Sequence, residues 1–197
     1  MTELQKKIQV TKWVPYFYDL IYKNGVDYNV IPFLISQIIL ESGYFSSNAF
    51  VNDNNPAGIT WNSNFLKRQG ASKGTLRPAN EGGNYVHFAN YSDAITDYLR
   101  IVNEKRSSNN IGKPIEAKDY IDYATRLKAN GYFGKYKLNT ASGQIELKNY
   151  IAGMKANIIR NDKWIDYAVL KKNNSMNMAS INPIFILLIL SFIFIKK

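Results

Sequence analysis

Cysteine is absent from the 197 residues, and histidine occurs once, as His87. The first absence excludes disulfides, thiolate metal sites, iron–sulfur ligation and a thiol nucleophile. The second excludes a metal site built from several histidines. A Ser–His–Asp triad would have to use His87, and the alternation around it (NYVHF) reads as a strand position instead. Any hydrolytic chemistry in this chain therefore falls to carboxylates. Acid is also scarce, with 15 Asp and Glu against 25 Lys and Arg, a formal charge of +10. Such a surplus draws polyanions, whether nucleic acid, anionic lipid or anionic wall polymer. The densest basic pairs, Lys6-Lys7 and Lys171-Lys172, are too short for a nucleic-acid arm, and no binding signature accompanies them. Nucleic acid is not an expected partner. What the chain does have is apolar material: 46% hydrophobic and 14% aromatic residues, enough to build the core of one domain.

The two ends differ. The first residues, MTELQKKIQVTKWVPYFYDL, contain no apolar run leading to a small-residue cleavage site, so no secretory signal is read there. Ile8, Trp13, Phe17, Leu20 and Ile21 recur at helical spacing and predict a core helix, with Pro15 a candidate kink. The long apolar run is at the other end, IFILLILSFIFI from Ile184 to Ile195, closed by Lys196-Lys197. A spanning helix needs about 20 residues. Counted from Ile181 the run is too short. Counted from Met176 it is long enough but includes Asn177, Ser180, Asn182 and Pro183. The expectation is a C-terminal hydrophobic helix over 184–197 acting as a membrane anchor behind a polar linker over 171–183, with a buried soluble strand as the alternative. Lysines on both sides leave its orientation open.

The chain between the ends reads as mainly α. DYNVIPFLISQIILESG is apolar on more than one face and predicts the central buried helix, with Asp27 or Asn29 as cap and Gly43 as stop. SDAITDYLRIVNEKR and KDYIDYATRLKANG are amphipathic helices, and SGQIELKNYIAGMKANII places Leu147, Ile151, Met154 and Ile158 on one stripe. KWIDYAVLKK predicts a short last helix. Residues 46–64, rich in Asn, Ser, Gly and Pro, read as loop. Residues 74–89 hold a turn-forming NEGG between two short β-like runs and predict a hairpin. The expected architecture is a helical domain over 1–170 with a small β-hairpin lobe.

Glu41 is the residue on which chemistry would rest. It ends the most apolar helix, in IILESGYF. Apolar neighbours disfavour its charged form by desolvation, and the partial negative charge of a helix C-terminus does the same. A carboxylic acid that stays protonated near neutrality can donate its proton to a leaving oxygen, as glycoside cleavage requires, usually beside a second carboxylate. A water-exposed glutamate at a helix end is the competing reading of the same residue.

Here the sequence resembles a known family. ILESGYFSS is similar to the A-L-E-[ST]-G-x-x-x-S segment of the glycoside hydrolase family 73 glucosaminidases, and NNPAGIT to their N-N-P-F-G-I-K, with Ala57 where Phe is usual. RPANEGGNYVHFANYSDAITDYLRIV resembles the family's hairpin and following helix, and YATRLKANGYF and NYIAG its later tyrosine-bearing segments. The likeness runs in order over about residues 10 to 160. It implies a lysozyme-like fold and an endo-β-N-acetylglucosaminidase of bacterial peptidoglycan, with no metal or organic cofactor. It implies Glu41 as general acid, Glu81 as second carboxylate (with the substrate's own acetamido group as the alternative), Asn55 and Gly58 lining the sugar cleft, and Tyr132 and Tyr150 beside it. A muramidase or lytic transglycosylase of the same fold, and a wall-binding protein without turnover, are the rival readings. A wall substrate and the absence of an export signal leave two expectations for location: a phage lysis or virion enzyme, or a bacterial enzyme held by its tail.

Overall fold

The computed structural model describes residues 1–62, 70–104 and 111–155. The expected helix at KWIDYAVLKK, the linker and the hydrophobic tail lie outside the described residues. Among the described residues no helix is long and apolar enough to cross a membrane.

Helix α1 (Glu3–Lys23) starts with a capping box, in which the Thr2 hydroxyl accepts the Gln5 amide and the Gln5 side chain accepts the Thr2 amide. Pro15 sits inside the helix without ending it. Val10, Val14, Phe17 and Ile21 form its buried stripe, whereas Ile8, read as part of that face, is 55% exposed. Helix α2 (Ile31–Glu41) is buried nearly all round, through Ile31, Leu34, Ile35, Ser36, Gln37, Ile38 and Ile39. Its cap differs from the expectation. Val30 occupies the position with no side-chain bond, and Pro32 in the first turn needs no amide partner. Asp27 instead accepts the Asn29 amide at 2.8 Å in a local turn.

After α2 the backbone turns left-handed at Gly43, Tyr44 and Phe45, with φ of 55°, 59° and 60°. Glycine adopts that conformation freely, but Tyr and Phe do so at a cost. Packing offsets it: the Phe45 ring stacks on Phe17 at 5.6 Å and meets Phe50 edge-on at 5.4 Å, in a cluster that also holds Trp13 and Tyr91.

Part of the stretch read as loop is helical. Helix α3 (Asn48–Asp53) is capped by Ser47, whose hydroxyl accepts the Phe50 amide, and it buries Ala49 and Phe50. The hairpin is present as an antiparallel pair, β1 (Ala71–Leu76) and β2 (Asn84–Phe88), irregular between Lys73 and Leu76 and beginning three residues before the expected start.

Three consecutive side chains bind this lobe to the helices. The Asp53 carboxylate accepts the Thr75 amide at 3.1 Å and the Thr75 hydroxyl. Asn54 Nδ2 donates to the Phe88 carbonyl at 2.9 Å, and Asn55 Nδ2 to the Val86 carbonyl at 3.0 Å. A Cβ on Gly74 would lie 2.5 Å from Asp53 Oδ1, so only glycine lets the strand come this close. His87 is a β2 residue whose Nδ1 lies 3.2 Å from the Asn52 carbonyl and 3.5 Å from Asp53 Oδ1.

Helix α4 (Tyr91–Asn103) is capped by Asn90, and α5 (Tyr120–Ala129) by Asp119. Helix α6 (residues 141–155) contributes Leu147 and Met154 to the core. These helices surround α2 and bring its C-terminal end to face the hairpin.

Candidate active site

Glu41 lies on the floor of a cleft of about 710 Å³. The cleft's walls come from the loop at Gly58–Thr60, from Arg77 and Glu81 on the hairpin, from Arg100 and Glu104 at the end of α4, and from Tyr132 and Phe133 after α5. The Glu41 carboxyl is pushed up from 4.5 to about 7. Burial is the largest cause. The Tyr150 hydroxyl, donating to Oε1 at 3.1 Å, pulls in the opposite direction; Glu81 raises the value further and Arg77 lowers it. Tyr150 lies 109 positions from Glu41 in sequence, and its ring is held against Phe133 at 3.8 Å.

The carried-over residues separate on inspection. Gly58 lines the cleft at φ +62°, where its missing side chain faces Glu41. Glu81 lines the same cleft from the hairpin turn, exposed and ion-paired with Arg77. Tyr132 lines it too, and its hydroxyl donates to the Ala57 carbonyl at 3.0 Å. Tyr150 acts on the acid itself. Asn55, expected to line the cleft, does not. It is fully buried; both its amide hydrogens go to the Ile59 and Val86 carbonyls, and its oxygen accepts the Ile59 amide at 2.9 Å. It holds the shape of the Gly58 loop from behind.

One polar centre was not anticipated. Gln37 is fully buried one helical turn before Glu41. Its Oε1 accepts the hydroxyls of Tyr98 at 2.7 Å and Tyr123 at 2.5 Å, which ties α2 to α4 and α5 beneath the acid. Burial raises the pKa of both tyrosines, so they remain neutral donors. The available signal was a glutamine inside an otherwise apolar helix, four residues before the candidate acid. No group of three His, Asp or Glu side chains suited to a metal occurs among the described residues.

Because Tyr150 hydrogen-bonds the charged form of Glu41, Tyr150→Phe should move the Glu41 titration above about 7, while Glu81→Gln should move it below. Carbon-detected NMR titration of the Glu41 carboxyl reads both shifts. Shifts of the same sign in the two variants would contradict the arrangement.

A helical domain with a carboxyl of raised pKa at the end of its central helix, facing a hairpin wall across an open groove, is a lysozyme-like arrangement. A similar fold occurs in the crystal structure of the catalytic domain of the autolysin Auto from Listeria monocytogenes, which matches with a TM-score of 0.51 at 17% identity over 85% of this chain and 89% of that one. No curated protein matches the chain. The model of the Glucosaminidase family, described as mannosyl-glycoprotein endo-beta-N-acetylglucosaminidase, matches residues 15–175, and the chain belongs to that family, glycoside hydrolase family 73. It is a glycoside hydrolase of the endo-β-N-acetylglucosaminidase class.

Proposed function

We propose that this chain hydrolyses the glycan strand of bacterial peptidoglycan after N-acetylglucosamine, with Glu41 as general acid. The observation that carries this reading is an enclosed carboxyl on the floor of an open groove whose pKa is raised to about 7, so that it holds a proton where an ordinary glutamate has lost it. Glu41 protonates the glycosidic oxygen as the bond to the anomeric carbon lengthens towards an oxocarbenium-like state. From the opposite face either Glu81, on the hairpin side of the same cleft, takes a proton from the water that adds to the anomeric carbon, or the substrate's acetamido oxygen bonds to that carbon first and water then displaces it, giving its proton back to Glu41. The formal charge of +10 favours encounter with an anionic wall, an attraction that salt weakens.

Digestion of purified wall tests the reading. New reducing-end N-acetylglucosamine is expected among the fragments. Reducing-end muramic acid would replace it with a muramidase, anhydro-muramic ends with a lytic transglycosylase, and wall binding without fragments with a non-catalytic wall protein.

A further inference from the structure

A second cavity, of about 760 Å³, lies on the far side of the loop that walls the catalytic cleft. Gly131, Phe133 and Gly134 line both spaces, so the partition between them is one short stretch of chain. That partition is held firmly. Gly131 and Gly134 take left-handed turns at φ of 68° and 75°, and the Phe133 ring is stacked on Tyr150. From behind, Glu146 pairs with the buried Lys128 and accepts the amides of Lys135 and Tyr136 at 2.9 and 3.1 Å.

The charge of this cavity is one-sided. Lys128, Lys135 and Lys137 line it and no carboxylate does. Lys128 is spent on Glu146, but Lys135 and Lys137 are exposed, and neither has an ion-pair partner among the described residues. Apolar wall comes from Ile111, Phe133 and Leu138. Two open cations beside apolar surface suit a ligand that has carboxylates, amides and aliphatic side chains together. A polyol phosphate has the charge without the apolar groups.

Building on the peptidoglycan reading, we propose that this cavity is a subsite for an acidic peptide substituent of the glycan strand, with Lys135 and Lys137 holding its carboxylates while the sugars occupy the cleft across the Gly131–Gly134 wall. The enzyme thereby reads a peptide-bearing strand differently from a bare one.

The test compares the full chain with its Lys135→Gln/Lys137→Gln variant on three substrates: intact peptidoglycan, the same material with its peptides removed by an amidase, and peptidoglycan stripped of phosphodiester polymers by acid. Two exposed charge contacts predict a fall in kcat/KM of about three- to tenfold on peptide-bearing wall. On peptide-free glycan the variant should match the unaltered enzyme. The difference should persist on acid-stripped wall and shrink as salt rises. Equal losses with and without peptides, or no loss on either, would overturn the subsite. A loss that vanishes on acid-stripped wall would assign the cavity to phosphate and overturn the peptide. Absence of activity in the unaltered chain on all three substrates would instead sink the hydrolase reading on which the subsite rests.

Discussion

Glu41→Gln is expected to lower wall digestion by about 10²- to 10⁴-fold, the range ascribed to a positioned proton donor. The amide keeps the shape of the side chain and has no proton to transfer to a leaving oxygen. The unaltered enzyme should lose kcat/KM as pH rises through about 7, because the acid is then ionised. The same titration makes a second, independent prediction. A folded-state pKa of about 7 against 4.5 unfolded means that the native state binds the extra proton between those values. Stability therefore falls as pH rises across that window, by at most about 3 kcal/mol from this group. The glutamine variant lacks that loss, so at pH 8 it should be as stable as the parent or more so. Reducing-end release and thermal unfolding at pH 5 and pH 8 measure both effects. Full activity in the variant would remove Glu41 from the chemistry.

Asn55→Ala is expected to destabilise the fold by about 2–4 kcal/mol, combining an orphaned buried amide with the space left by the lost side chain. The Ile59 carbonyl keeps the Val86 amide at 2.9 Å, while the Ile59 N–H and the Val86 carbonyl lose the bonds that Asn55 made to them. Denaturant unfolding reads the loss. Measured per folded molecule, any rise in KM should be small beside the loss of stability, because the Asn55 side chain reaches the cleft only through the Gly58 loop that it supports. An unchanged unfolding midpoint with a strongly raised KM would return Asn55 to the substrate.

These two residues show where reading the sequence succeeds and where it stops. The burial of Glu41 was only half legible: an apolar helix ending at that residue favours desolvation, but the same pattern also fits a water-exposed helix end, and the choice between them came from the family resemblance. Helices α1, α4 and α5 and the hairpin were legible because periodicity and turn residues are local. Helix α3 was hidden because six residues hold too little pattern to outweigh an Asn-rich composition, although Ser47 stood ready as its cap. Ile8 shows the converse: it is apolar, but it stands two residues before Val10 and so on the side of α1 turned away from the buried stripe. The role of Asn55 could not be read because its partners include Val86, 31 positions away, and motif position alone cannot tell a cleft residue from the support behind it. Gln37 and Tyr150 act through contacts with residues 61 to 109 positions distant, which no local rule reaches.

The attachment of the β-lobe has a consequence for how such an enzyme diversifies. Asp53, Asn54 and Asn55 grip the strands at Thr75, Val86 and Phe88, away from the 77–83 turn that carries Arg77 and Glu81. Lengthening, shortening or recoding that tip leaves the joint untouched, and it reaches Glu41 only through the charges it carries, Glu81 raising the carboxyl's pKa and Arg77 lowering it. Selection can therefore recode one bank of the groove without loosening the lobe, retuning at once which strands fit and the pH range over which Glu41 keeps its proton.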